Sequence, residues 1–143
     1  MTRQSRDNAG VHRRHRRVLL PDGWTEPKGY ANGIVTKGTF VFLGGQIGWN
    51  RQGVLPAGFV AQTRQALENI AQLLREAEAE PQDVVRLVWY VTDMAAYADN
   101  LKELGKTYRE IFGYHYPPMT LVQVMSLVEP GAMVEIEATA VMP

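Results

Sequence analysis

The stretch from Pro117 to Met142 restricts the fold more than any other part of the chain, because it holds two strand-like runs on either side of a turn. In the second run Val134, Ile136, Ala138, Ala140 and Met142 fall on one side of a pleated strand, and Glu135, Glu137, Thr139 and Val141 fall on the other. The first run, Thr120 to Leu127, is rich in Val and Leu. Between the runs, Glu129-Pro130-Gly131 supplies turn chemistry, since proline presets φ and glycine accepts positive φ. A β-hairpin is the economical reading. Glu135 and Glu137 share a face with small and apolar residues, so at least one carboxylate can be held off bulk water, and a carboxylate held that way can act as a base.

Upstream the spacing changes. From Phe59 onward Val60, Thr63, Leu67, Ile70, Leu73, Leu74 and Ala77 recur at three and four, which predicts a helix of about five turns. Val84 to Val91 is almost continuously apolar and predicts a strand covered on both faces. Thr92-Asp93 offers an N-cap to a second helix with Tyr97, Leu101, Leu104, Tyr108, Ile111 and Phe112 at helical spacing, and Gly113 stops it. Trp89, Tyr90, Tyr97 and Tyr108 read as core, because all lie on the periodic apolar pattern.

Nearer the N-terminus, Ile34–Lys37 and Phe40–Leu43 read as two short strands about a turn at Lys37-Gly38-Thr39. The second runs into Gly44-Gly45-Gln46, where paired glycines permit either close backbone approach to a ligand or a β-bulge. They form no phosphate loop. Tyr30 sits in an irregular Gly-containing loop, either leaning over a pocket or packed as a lid with its hydroxyl in water. The order β-β-α-β-α-β-β argues for an α+β single domain, one mixed sheet with two helices on one face. The opposite face then needs a cover, which self-association supplies.

The 143 residues, 45% of them hydrophobic, support one core of ordinary size. Zero cysteines exclude disulfides, thiolate nucleophiles and iron–sulfur clusters. The three histidines, at 12, 15 and 115, lack metal-ligand spacing, so neither a metal nor another cofactor is expected. Without a long apolar run or an apolar signal core, the expected location is cytoplasmic, with no membrane partner. The net charge of zero hides an asymmetry: residues 1–17 carry six arginines against Asp7 alone, leaving an acidic body. Residues 1–18 are read as a disordered basic arm and residues 19–143 as the folded domain. The arm has no interleaved aromatic residue and no folded basic face behind it, which speaks against nucleic acid as a partner.

Gly29-Tyr30, the run Phe40-Val41-Phe42-Leu43-Gly44-Gly45-Gln46-Ile47, the helix Gln65-Ala66-Leu67-Glu68-Asn69-Ile70, then Val91-Thr92-Asp93-Met94 and Val134-Glu135-Ile136-Glu137-Ala138 together resemble the Rid family, the reactive intermediate deaminases also called YjgF. The resemblance implies a chorismate-mutase-like (Rid-type) α+β subunit, a homotrimer, and small-molecule pockets at the subunit interfaces. It implies hydrolysis of enamines and imines, with Glu135 as the catalytic carboxylate that activates water. Tyr30, Gly44, Gly45, Gln46 and Met119 stand where the family's substrate-binding residues stand. Two of these depart from the pattern: Met119 replaces the arginine that clamps the substrate carboxylate, and Gly44 replaces the serine of an SGQ motif. A thioether cannot supply the guanidinium's fork of donors, but it packs well against rings.

The resulting expectation is a deaminase-like hydrolase acting on a small metabolite other than a simple 2-imino acid. If 2-imino acids are turned over, another cation, Arg86 or Arg109, has to supply the charge. The alternative is a non-catalytic trimer that holds a small apolar metabolite. RNA binding or cleavage, prompted by the arm and by the ribonuclease label of some family members, is a third reading.

Overall fold

The two sequence periods become two layers of structure. A computed structural model describes residues 16–143. In chain order these form β1 (Arg16–Leu19), β2 (Gly33–Thr36), β3 (Thr39–Ile47), α1 (Phe59–Glu76), a 3-10 turn (Pro81–Asp83), β4 (Val84–Val91), α2 (Met94–Ala98), α3 (Leu101–Phe112), β5 (Met119–Gln123) and β6 (Val134–Met142). The main sheet has the order β3-β6-β4-β5 and is mixed: β6 runs antiparallel to β3 and β4, and β5 runs parallel to β4. Leu87, Trp89 and Val91 of β4 and Val134, Ile136 and Ala138 of β6 bury one sheet face under Ala66, Leu67, Ile70 and Leu74 of α1 and Leu104, Tyr108 and Phe112 of α3. Helix α1 lies over β3 and β6 and alongside α3. Among the described residues no helix is long and apolar enough to cross a membrane.

Strand β5 does not form a hairpin with β6. It pairs with the far side of β4, so β4 separates the two. Residues 124–133 straddle the C-terminal end of β4, where Val124 N–H donates to the Val91 carbonyl (2.8 Å) and Thr92 N–H donates to that of Met133 (3.1 Å). Alternation reports which face a residue occupies and is silent about which strand lies alongside.

Three other expectations change. Strand β2 pairs with β1 in a separate two-stranded sheet, not with β3. Arg16, Arg17 and Val18 therefore lie in a strand that the arm boundary at residue 18 had cut through; the Arg16 guanidinium donates to the Gln82 and Val141 carbonyls. The rest of the arm lies outside the described residues. The second helix is two, because Asp99-Asn100 interrupts it and Asn100 Nδ2 donates to the Ala96 carbonyl at 2.7 Å, the local competition with helix bonds typical of asparagine. Asp93 caps α2 as expected, accepting from Ala95 N–H at 3.0 Å and Ala96 N–H at 3.3 Å.

Candidate active site

The register of the sheet divides the expected site residues between its two faces. Met119 is the β5 partner of Leu87, whose β6 partner is Ala138, so it belongs to the helix-covered face. Glu135 is the partner of Tyr90 and belongs to the opposite face. Within one subunit, Met119 and Glu135 cannot line the same cavity.

On the helix-free face, Glu135 lies directly over Gly45. A Cβ at Gly45 would overlap the carboxylate and approach its Cγ and Cδ to 2.8 Å, so glycine is required there by close approach. The register of β3 against β6 slips between Leu43 and Gln46, which makes the glycine pair a bulge as well. Gly44 faces open space, and Gln46 Nε2 donates back to its carbonyl at 3.2 Å. The neighbouring carboxylate is occupied differently. Tyr90 Oη donates to Glu137 Oε1 at 2.5 Å, and that hydrogen bond, ahead of desolvation, raises the Tyr90 pKa above its ordinary value. Among the described residues no donor is placed on the Glu135 carboxylate.

On the helix-covered face, a cavity of about 380 Å³ opens between the β5 edge of the sheet and α2 and α3. Trp89, Met119 and Leu121 form the sheet wall, and Tyr97, Leu104 and Tyr108 the helix wall. Tyr30 reaches it because its loop is pinned to the start of β5: Ala31 N–H donates to the Pro117 carbonyl at 3.3 Å, and Ala31 bridges to Pro118. The buried Trp89 Nε1–H has no acceptor among the described residues. No cluster of metal ligands occurs among them either.

The family model described as endoribonuclease L-PSP matches residues 25–142. The chain belongs to the Rid family. A RutC family protein of Pyrococcus horikoshii is 32% identical over 125 residues, 86% of this chain and 95% of that protein. TdcF of Escherichia coli, named as a candidate reactive intermediate deaminase, is 33% identical over 116 residues, covering 78% of this chain and 85% of its own. Among solved structures, a Rid protein of unknown function from Yersinia pestis aligns with a TM-score of 0.78 at 33% identity, over 89% of this chain and 98% of that one. TdcF with bound serine aligns with a TM-score of 0.64 at 31% identity, over 85% and 92%. Rid proteins are generally homotrimers.

Of the expected residues, this Rid domain brings Gly45 and Glu135 together on the helix-free face and Tyr30 and Met119 together in the cavity, while Gln46 is the β3 partner of Ile136 and Gly44 faces open space. Arg109, named from the sequence only as an alternative source of charge beside Arg86, is a cavity residue. Its signal was present: it follows Gly105 by four residues and Tyr108 by one, on the helix whose apolar positions became the cavity wall instead of pure core.

Proposed function

We propose that this chain is a Rid-type hydrolase of C=N bonds whose site is completed between subunits, the Tyr30–Met119 cavity of one subunit meeting the Gly45–Glu135 bulge of the next. The observation that carries the reading is the pair Glu135 and Gly45: a carboxylate held against a strand bulge, with the neighbouring Glu137 engaged by Tyr90 and Glu135 left to a ligand. In this reading the Glu135 carboxylate takes a proton from water as the water oxygen bonds to the imine carbon. Glu135 then returns that proton to the carbinolamine nitrogen, the hydroxyl gives up its own proton to the freed carboxylate as the carbonyl forms, and the C–N bond breaks to release ammonia or an amine. An enamine enters the same path after protonation at carbon to the imine. General-base assistance of this kind contributes typically about 10²- to 10⁴-fold.

Simple 2-imino acids are poor substrates in this reading, because Met119 presents no charge to a carboxylate at that position. The same substitution favours a second reading, a trimer that binds an apolar metabolite without turning it over. Turnover of a panel of aryl and alkyl imines separates the two: Glu135→Gln is expected to remove hydrolysis by at least about 100-fold while leaving ligand binding intact. Hydrolysis unchanged in Glu135→Gln would sink the catalytic assignment, and no hydrolysis by the wild type on any member of the panel would favour the binding protein. In the same assay Met119→Arg is expected to raise kcat/KM for 2-aminoacrylate about ten- to a hundred-fold, since a charge-assisted hydrogen bond contributes roughly 1.5–3 kcal/mol.

A further inference from the structure

The cavity under α2 and α3 is charged unlike the body around it. The chain beyond its basic N-terminus is acidic, yet the cavity wall includes Lys28 and Arg109 and not one Asp or Glu. Arg109 lies across Gly105, one helical turn earlier, such that a Cβ at Gly105 would stand 3.0 Å from Nη1. The missing side chain thus makes room for the guanidinium against the cavity. Arg109 has no carboxylate partner among the described residues, whereas Arg64 on the neighbouring helix is paired with Glu110. Arg86, the other cation the sequence offered, does not line this cavity: it pairs with Thr139 on the helix-free face.

We propose that Arg109 holds the ligand's anionic group, and that the ligand is a carboxylate with an aromatic or branched apolar body. The inference rests on the Rid-type reading above and narrows its substrate class. A cation on the helix wall, facing an uncharged Met119 and Leu121 on the sheet wall, sets the carboxylate and the body of the ligand at opposite sides of the cavity. A three-carbon acid bound at Arg109 leaves the sheet wall uncovered. A ring fills it, because a thioether and aromatic faces pack favourably, and about 380 Å³ lies within the roughly 300–1,000 Å³ of small-ligand sites. The planar guanidinium then selects the carboxylate from its neutral amide.

The test is calorimetric titration of the full-length protein with 3-phenylpropionate, its neutral amide 3-phenylpropionamide, and propionate. The wild type is expected to bind 3-phenylpropionate at least about tenfold more tightly than either of the others, about 1.4 kcal/mol. Arg109→Gln should bring the acid down to the level of the amide, and Arg86→Gln should leave the preference intact. Gly105→Ala, which helix propensity favours, should weaken the acid and spare the amide by pushing the guanidinium aside. Equal binding of acid and amide, no binding of any probe, or a preference that survives Arg109→Gln and disappears with Lys28→Gln would each overturn the assignment. An Arg109-dependent preference without imine hydrolysis would retire the catalytic reading and keep this one. Glu135-dependent hydrolysis of aryl imines that is indifferent to Arg109→Gln would do the reverse.

Discussion

Two adjacent glycines illustrate how differently one residue type is used. A methyl at Gly44 meets nothing within 4 Å, while a methyl at Gly45 collides with Glu135. Gly44→Ala is therefore expected to change stability by no more than about 0.5 kcal/mol, as for an open surface position. Gly45→Ala should cost about 1–3 kcal/mol through overpacking and displace the carboxylate, so that turnover falls further than stability does. Thermal melts and imine turnover of the pair check this; equal effects would mean that Glu135 has room to move and is not positioned by the bulge. The sequence revealed the glycine pair and the glutamate separately. What joins them is the antiparallel register of β3 with β6, a contact between segments far apart in the chain and without local signature. The same holds for Met119, whose departure from the family pattern was legible in Pro117-Pro118-Met119 but whose sheet face was not, because its strand was paired with the wrong neighbour.

Helix α3 shows what periodicity reads well. The start of α1 at Phe59 and both ends of β4 fall where the apolar spacing put them, because a helix face and a doubly covered strand are local patterns recorded in every few residues. The aromatic positions of α3 were likewise identified as inward-facing, and Tyr108 fulfils that with a further duty. Its ring stacks on Phe112 (centroids 5.1 Å apart) and Tyr116 (5.4 Å), and its hydroxyl donates to the His115 carbonyl at 2.5 Å, which ties α3 to the segment entering β5. Burial holds its pKa well above the ordinary tyrosine value. A pKa raised in the folded state means a contribution that is complete below about pH 10, the unfolded value, and lost as pH climbs toward the folded one. Tyr108→Phe should thus cost about 1 kcal/mol near neutrality through the lost hydrogen bond, and should flatten the alkaline decline. Denaturant melts at about pH 8 and about pH 11 measure it. Parallel declines in variant and wild type would show that other groups govern the alkaline limb.

For the whole molecule the helix-free sheet face is the apolar surface that the subunit itself leaves uncovered. Phe40 and Phe42 stack there with centroids 5.8 Å apart, 55% and 76% exposed, beside the Glu135 and Glu137 row. Two phenylalanines so exposed present roughly 250 Å² of apolar surface, equivalent to about 6 kcal/mol per subunit if fully covered. Association costs about 4–15 kcal/mol in lost freedom, so the two rings contribute substantially without sufficing alone, and the rest of the face has to be covered with them. In the proposed function a homotrimer built on this face would provide that cover and, because Met119 and Glu135 lie on opposite faces of each sheet, would also let both reach one ligand. Phe42→Glu tests both consequences together. The side chain is too exposed to matter to the subunit core, so the melting profile of the monomeric unit should be little changed while light scattering at micromolar concentration shifts from trimer toward monomer. Imine hydrolysis should fall with the trimer fraction and recover as protein concentration is raised. A Phe42→Glu protein that remains trimeric places the interface elsewhere, and one that is monomeric yet fully active shows that a single subunit holds a complete site.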